Sequence, residues 1–316
     1  MKNKIFLAVA LSAVAPWAAA SCGSAFCMVN TNWAMQGPVS EPGLRVDLRY
    51  EYMDQDQPMQ GGHKVGVGEV HQHHDEVYTV NRNWLANFDY TFNESWSVSA
   101  SVPFVDREHF HIHNHHGHQL KDKWDFQELG DVRVVGRRQW VMESQGSAGF
   151  AGLSFGLKLP TGKYDVTNDE GDEAERSLQP GSGTTDLILG AFYTHVMPEQ
   201  GLTLFGQIQG QRATAEREDY RPGTKLLMDL GGRYEATDKL GVLLQLNAAL
   251  LGRDQGDEAE PEDSGGRYLF ISPGVSYAVT KDIQFYGFAQ FPLFQKVNGV
   301  QLTAEQAFVG GVSVRF

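Results

Sequence analysis

Cysteine, basic residues and long apolar runs are all scarce in this 316-residue chain, and each shortage removes a class of protein. The 2 cysteines, Cys22 and Cys27, both stand near the N-terminus, so no thiolate-bound structural zinc site can form in the rest of the chain. Beyond the first twenty residues there is no uninterrupted apolar stretch of the length a membrane-crossing helix needs, which excludes a helical transporter. With 26 Lys and Arg against 39 Asp and Glu the formal charge is -13, the wrong sign for binding nucleic acid. What is plentiful is aromatic: 18 Phe, 11 Tyr and 6 Trp exclude a disordered chain.

The first twenty residues carry Lys2 and Lys4, an apolar stretch from Ile5 to about Val14, and Ala18-Ala19-Ala20. That order of charge, grease and small residues predicts an export signal over 1–20, and its removal takes the charge from -13 to -15. The mature protein then works in an oxidising compartment outside the inner membrane. Cys22 and Cys27 read as a small disulfide loop, with lipidation of Cys22 or metal or redox chemistry of the pair as the alternatives.

From Leu44 onward the hydrophobic period is two. Leu44, Val46, Leu48, Tyr50 and Tyr52 alternate with Arg45, Asp47, Arg49 and Glu51, and the same parity returns in Trp84 to Phe92 and in Trp96 to Phe104. Continued along the chain, the pattern predicts about twelve strands: 43–53, 78–92, 96–108, 129–142, 149–160, 184–197, 202–213, 224–236, 240–252, 267–279, 283–296 and 305–316. Their connections alternate long and short, which a soluble sandwich has no reason to do and an outer-membrane barrel does. An even strand number puts both termini in the periplasm. Phe308, Gly310, Val312, Val314 and Phe316 share the last strand's outer face, as in outer-membrane barrels. In lipid every backbone polar group must be paired, so the sheet has to close. The fold class is therefore all-β, a closed antiparallel transmembrane β-barrel over 43–316, preceded by a periplasmic segment over 21–42.

Three segments add a resemblance. LGDVRVVGRRQW (129–140), GLKLPTGKYD (156–165) and LQPGSGTTDLILGAFYT (178–194) resemble the outer-membrane β-barrel family named for the meta-pathway of phenol degradation. The resemblance implies a porin-like or transporter-like role for small or hydrophobic compounds.

Chemistry concentrates in two predicted loops holding ten of the 11 histidines. His63, His71, His73 and His74 lie in the first; His109, His111, His113, His115, His116 and His118 lie in the second. Imidazole is the usual nitrogen ligand of Zn(II), Cu(II) and Ni(II), and Asp75, Glu76, Asp106 and Glu108 can complete a shell. Strand parity continued upward points His109, His111, His113 and His115 toward the lumen, together with His71 and His73, and places His73 near His115. Exposed, redundant histidines of this kind suggest metal capture and hand-over to the pore. A pH-responsive or merely polar loop is the plainer reading.

Two further loops are acidic: Asp165, Asp169, Glu170, Asp172, Glu173 and Glu175, then Asp254, Asp257, Glu258, Glu260, Glu262 and Asp263. Such runs are usually solvated faces, though they can focus cations or bridge lipopolysaccharide through calcium. The inward faces mix signs, with Arg45, Asp47, Arg49, Glu51, Asp89, Arg133, Arg137, Lys158, Asp186 and Asp229 among them, a pattern of ion pairing across the lumen. Inward Phe192, Phe205, Phe270, Tyr286 and Phe288 favour a hydrophobic cargo.

No P-loop or HExxH motif is present, and His195 sits beside the predicted periplasmic turn at Pro198, so catalysis is not expected. The expectation is a passive outer-membrane channel for small solutes with transition-metal ions bound at its histidine-rich rim. The alternative is a porin-like channel for small organic or aromatic compounds. Lipid, lipopolysaccharide and the solute are the expected partners, with no resident cofactor beyond bound Zn, Cu or Ni.

Overall fold

The computed structural model describes residues 29–31, 42–70, 75–115, 118–144 and 146–316. The expected export signal over 1–20 and both cysteines lie outside the described residues. Fourteen strands follow in order: β1 Gly43–Gln60, β2 His63–Lys64, β3 Asp75–Asn93, β4 Trp96–His115, β5 His118–Leu129, β6 Arg133–Ser144 and β7 Ser147–Lys158. Then come β8 Asp186–Met197, β9 Leu202–Ala213, β10 Lys225–Glu235, β11 Leu240–Leu251, β12 Gly266–Ala278, β13 Ile283–Val297 and β14 Val300–Arg315. Twelve of them form one antiparallel circuit, and β14 pairs β1 to close it, with Tyr52 opposite Phe308 and Arg45 opposite Arg315. Closure leaves no free edge in the ring, as burial in lipid requires.

Alternation sorts the side chains as the sequence implies. Trp84, Phe88, Tyr90, Trp96, Phe155 and Phe308 stand exposed on the outer wall, while Asp47, Glu51, Lys158, Asp186, Gln245 and Asn247 are buried inside. A soluble protein would bury the first group and expose the second; here acyl chains take the place of a core. The short turns are built locally: Asn93 Oδ1 accepts the backbone N–H groups of Ser95 and Trp96, and Thr280 Oγ1 accepts that of Ile283.

The inward aromatics have a structural task. Phe192, Phe205, Phe288 and Tyr286 stand directly across the ladder from Gly152, Gly231, Gly274 and Gly311. A Cβ at these glycines would come within 2.3, 2.5, 2.2 and 2.4 Å of the facing ring. Each ring therefore lies flat on bare backbone and tiles the wall. For these four the expectation that they mark a hydrophobic cargo is corrected, because their faces are spent on the neighbouring strand; the fifth, Phe270, lines the lumen cavity.

The largest departure from the expected layout is at the second histidine segment. Instead of a loop over 109–128, β4 runs on for 20 residues and turns back as β5, Phe104 pairing Leu129 and His115 pairing His118. The lower half of β4 pairs β6 instead. The chain thus descends as β5, breaks at 130–132 and resumes as β6. Above Trp84 and Phe104 the outer face changes character: Arg82 pairs with Asp106 and Glu108 at 3.1 and 3.2 Å, and Lys123 with Glu108 at 2.8 Å. Charges on the outside mark the end of the apolar belt, so β3, β4 and β5 project beyond the membrane.

Of the segment expected in the periplasm, residues 29–31 are described, and they lie inside the barrel. Asn30 N–H donates to Gln245 Oε1, Gln245 Nε2 donates back to Asn30 O, and Arg49 Nη1 donates to Thr31 Oγ1 at 2.8 Å. Val29 O also accepts from Arg49 Nη1, so Val29 and Asn30 are held to the wall through their backbone and Thr31 through its hydroxyl, and these three residues are lumen contents.

Candidate functional site

The lumen encloses a cavity of about 480 Å³ whose walls mix charged and amide side chains with apolar ones such as Met53, Leu227 and Phe270. Loop 159–185, expected to be solvated, folds inward at its mouth. The three family-like segments meet in the knot that holds it there. Asp131 Oδ1 accepts Gly162 N–H at 3.0 Å, and its Oδ2 accepts Ser182 N–H and Lys158 Nζ at 3.0 and 2.7 Å. Lys158 also reaches Asp186 at 3.3 Å, whose other oxygen accepts Gln211 Nε2. Gly162 has no room for a Cβ, which would lie 2.9 Å from the Cα atoms of both Gly130 and Gly181. Asp131, Gly162 and Ser182 were missed as a unit; their turn grammar was visible, their convergence was not.

Other lumen charges are satisfied in the same way. Asp47 accepts Tyr286 Oη and Asn87 Nδ2 at 2.9 and 3.3 Å, Asp229 accepts Asn247 and Gln207, and Arg49 pairs with Glu51. Ion pairing and amide bonding, rather than a bare charged filter, keep these groups inside the barrel.

The second constellation lies above the belt, on the inner face of the β4–β5 hairpin. His109 and His111 are 0% and 1% exposed, not displayed to solvent as expected, because Trp124, Phe126 and loop 159–185 cover them. Trp124 packs against both rings at 5.9 and 4.9 Å and ties itself to the loop by donating Nε1–H to Asp172 O at 3.0 Å. His109 Nδ1 is bonded to Thr79 Oγ1 at 2.8 Å, while its Nε2 lies 3.2 Å from His111 Nδ1 and 3.7 Å from Glu76 Oε2. Burial, and then the Arg107 guanidinium, push the His109 pKa down to about 3, so the ring is a neutral nitrogen donor.

A slip in the ladder puts Glu76 there. Tyr78 pairs Phe110 and Glu76 pairs His111, so Val77 is a bulge that reverses the parity of β3 above it. Of the four carboxylates named from the sequence, Glu76 therefore faces the histidines, whereas Asp106 and Glu108 point outward to Arg82. The same reversal removes the parity argument for His71 and His73. His71, His73, His74 and His116 lie outside the described residues, as do the side chains of His115 and His118. His63 is exposed on β2, paired with Gln60.

Asp122, opposite His111 on β5, was not foreseen. Its Oδ2 lies 3.7 Å from His111 Nε2 and 3.2 Å from His113 Nε2. The signal was legible: Lys121, Lys123 and Asp125 alternate with Asp122, Trp124 and Phe126, a strand pattern inside a presumed loop. From the acidic loops, Glu175 Oε1 approaches His111 Nδ1 at 3.9 Å. Glu260 is raised well above the usual carboxylate range by burial, then by Glu76, Asp263 and Asp254.

A closed ring of antiparallel strands, greasy outside, wet inside and holding a cavity, defines the class: this is an outer-membrane β-barrel of porin-like fold. The chain belongs to the family described as “Putative MetA-pathway of phenol degradation”, which matches residues 54–296. It is similar in fold to an outer-membrane channel from Pseudomonas putida F1, with a TM-score of 0.69 at 14% identity over 91% of this chain and 100% of that one. The NanC porin gives 0.47 at 11% identity, over 86% of this chain and 100% of that one. The translocator domain of the autotransporter NalP from Neisseria meningitidis gives 0.44 at 12%, over 88% and 90%. No curated protein sequence matches the chain.

Proposed function

We propose that this barrel is a passive outer-membrane channel for small solutes and that its histidine-rich outer rim binds transition-metal ions. The observation that carries the first part is the cavity of about 480 Å³, lined by both polar and apolar side chains, inside a closed wall. The second is supported by Glu76, His109 and His111, whose ligand atoms lie within 4.8 Å of one another, as do those of His111, His113 and Asp122. On the outside, the apolar belt meets lipid, and the charged collar above it meets lipopolysaccharide. Export through a cleaved segment over 1–20 belongs to the same reading.

Liposome swelling tests the channel: small sugars and organic acids enter vesicles holding the refolded protein faster than empty ones, and equal rates refute conduction. Metal titration with and without His109, His111, His113, His115, His116 and His118 replaced by Ser tests the rim; equal affinity removes that segment as the site. The family description favours phenolic compounds as the alternative cargo. Swelling in phenolic solutes that exceeds swelling in sugars of equal size would select that reading.

A further inference from the structure

Three overlapping ligand sets run inward through the hairpin. Asp122, Glu170 and Asp172 form the outermost, all oxygen and largely exposed; His111, His113 and Asp122 form the next; Glu76, His109 and His111 form the innermost, wholly buried. Neighbouring sets share a residue, Asp122 and then His111. His111 can serve both because its two nitrogens face opposite ways, Nε2 toward Asp122 at 3.7 Å and Nδ1 toward His109 at 3.2 Å.

The ladder does not continue into the pore. Beneath His109 stands Arg107, 0% exposed, donating Nε–H to Asn81 Oδ1 at 2.7 Å and a further N–H to Leu178 O. Beside it Val105, Trp124, Phe126 and Leu178 form one buried apolar cluster. A fixed guanidinium inside an apolar plug repels a cation, so the innermost set is the end of the path.

We propose that Glu76, His109 and His111 seat one retained transition-metal ion, Zn(II), Cu(II) or Ni(II), which arrives through Asp122 and His113 and is not passed to the lumen. The inference rests on the reading of the rim as metal-binding and gives that site its ligands and its role. Bonds of about 2.1 Å in a tetrahedron set ligands about 3.4 Å apart, and the 3.2 and 3.7 Å separations at His109 Nε2 need only small adjustment. Thr79 on the opposite nitrogen of His109 holds the ring in place, as the outer partners of metal-bound imidazoles do. Two nitrogens and one carboxylate suit a borderline ion and discriminate against Ca(II) and Mg(II), which want oxygen alone. Glu260 adds an independent pointer: its Oε2 is buried with no hydrogen-bond partner among the described residues, near the Glu76 carboxylate. A divalent ion offsets that crowding of acids. The ion also ties loops 159–185 and 252–265 to the hairpin, through Glu175 beside His111 and Glu260 beside Glu76.

The experiment uses the refolded full barrel, stripped with chelator and titrated with Zn(II), with Co(II) as a spectroscopic probe. One tight equivalent is expected, retained through gel filtration, with an intense tetrahedral Co(II) spectrum. Glu76→Gln and His109→Gln should each weaken it at least about tenfold, while His113→Ala slows loading and leaves affinity near wild type. Co(II) bound with the weak absorption of an octahedral all-oxygen site overturns the proposal without recourse to any variant. If Zn(II) binding survives Glu76→Gln and His109→Gln but is lost with the histidines of 63–74 or 115–118, this seat is wrong and the broader reading stands. If the wild type binds no Zn(II), both fall.

Discussion

The belt of this barrel and the hairpin above it obey the same alternation and use it for opposite ends. In the belt, inward aromatics lie on bare glycines and inward charges meet partners: Lys158 is held by Asp131 and Asp186, Asp47 by Tyr286. Above the belt, inward positions of β4 carry Arg107, His109 and His111, buried with Glu76 and Glu175 near them. The difference teaches that one pattern rule specifies which way a side chain points, while what lies opposite decides whether it closes a wall or opens a site.

The contrast breaks most sharply at Lys158. Lys158→Met leaves Asp131 and Asp186 buried without their cation, so unfolding in urea should show a loss of about 3 kcal/mol, and loop 159–185 should become a protease target. Next, Gly274→Val drives Phe288 off the wall, since the added Cβ alone would come within 2.2 Å of its ring. Overpacking of this kind costs roughly 1–3 kcal/mol, and the displaced ring should also slow solute flux. Unchanged stability and flux would dissolve the tiling account.

In the hairpin, Thr79→Val keeps shape and removes the partner of His109 Nδ1, which costs about 1 kcal/mol. Imidazole resonances of His109 followed by NMR should then broaden as the ring loses its orientation. The smallest effect sits on the outer collar. Glu108 is held down to about 2, first by the hydrogen bond from Lys123 and then by Tyr78, against an ordinary value of 4.5. A depressed carboxylate stabilises the fold above its unfolded value and ceases to do so as pH falls from about 4.5 toward about 2. Amide protection of β4 and β5 should decline modestly over that window, and Glu108→Gln should remove the pH dependence; the side chain is exposed enough that global stability barely moves.

Most of the ring is legible in the sequence. Residues 202–213, 240–251 and 283–297 follow the expected spans to within a residue, because a strand with lipid on one face and water on the other must alternate. The inward direction of His109, His111 and His113 followed from the same parity. Glu76 could be named but not aimed, since the bulge at Val77 leaves no trace in the hydrophobic pattern. Asp122 was hidden by treating 109–128 as a loop, although its alternation continued. Loop 159–185 looked like a solvated acidic run; its fold is set by Asp131 and Lys158, which stand on other strands.

Periodicity is a local property, so the chain alone carries the number of strands in the ring, the side each belt residue takes, the greasy belt and the clustering of imidazole. Contacts between segments far apart in sequence are another matter. The seating of Phe288 on Gly274, the knot at Asp131, the entry of residues 29–31 into the lumen and the meeting of Glu76 with His109 depend on register and bulges. Those are chosen only when the ring closes and every inward group must find a partner in the same small space.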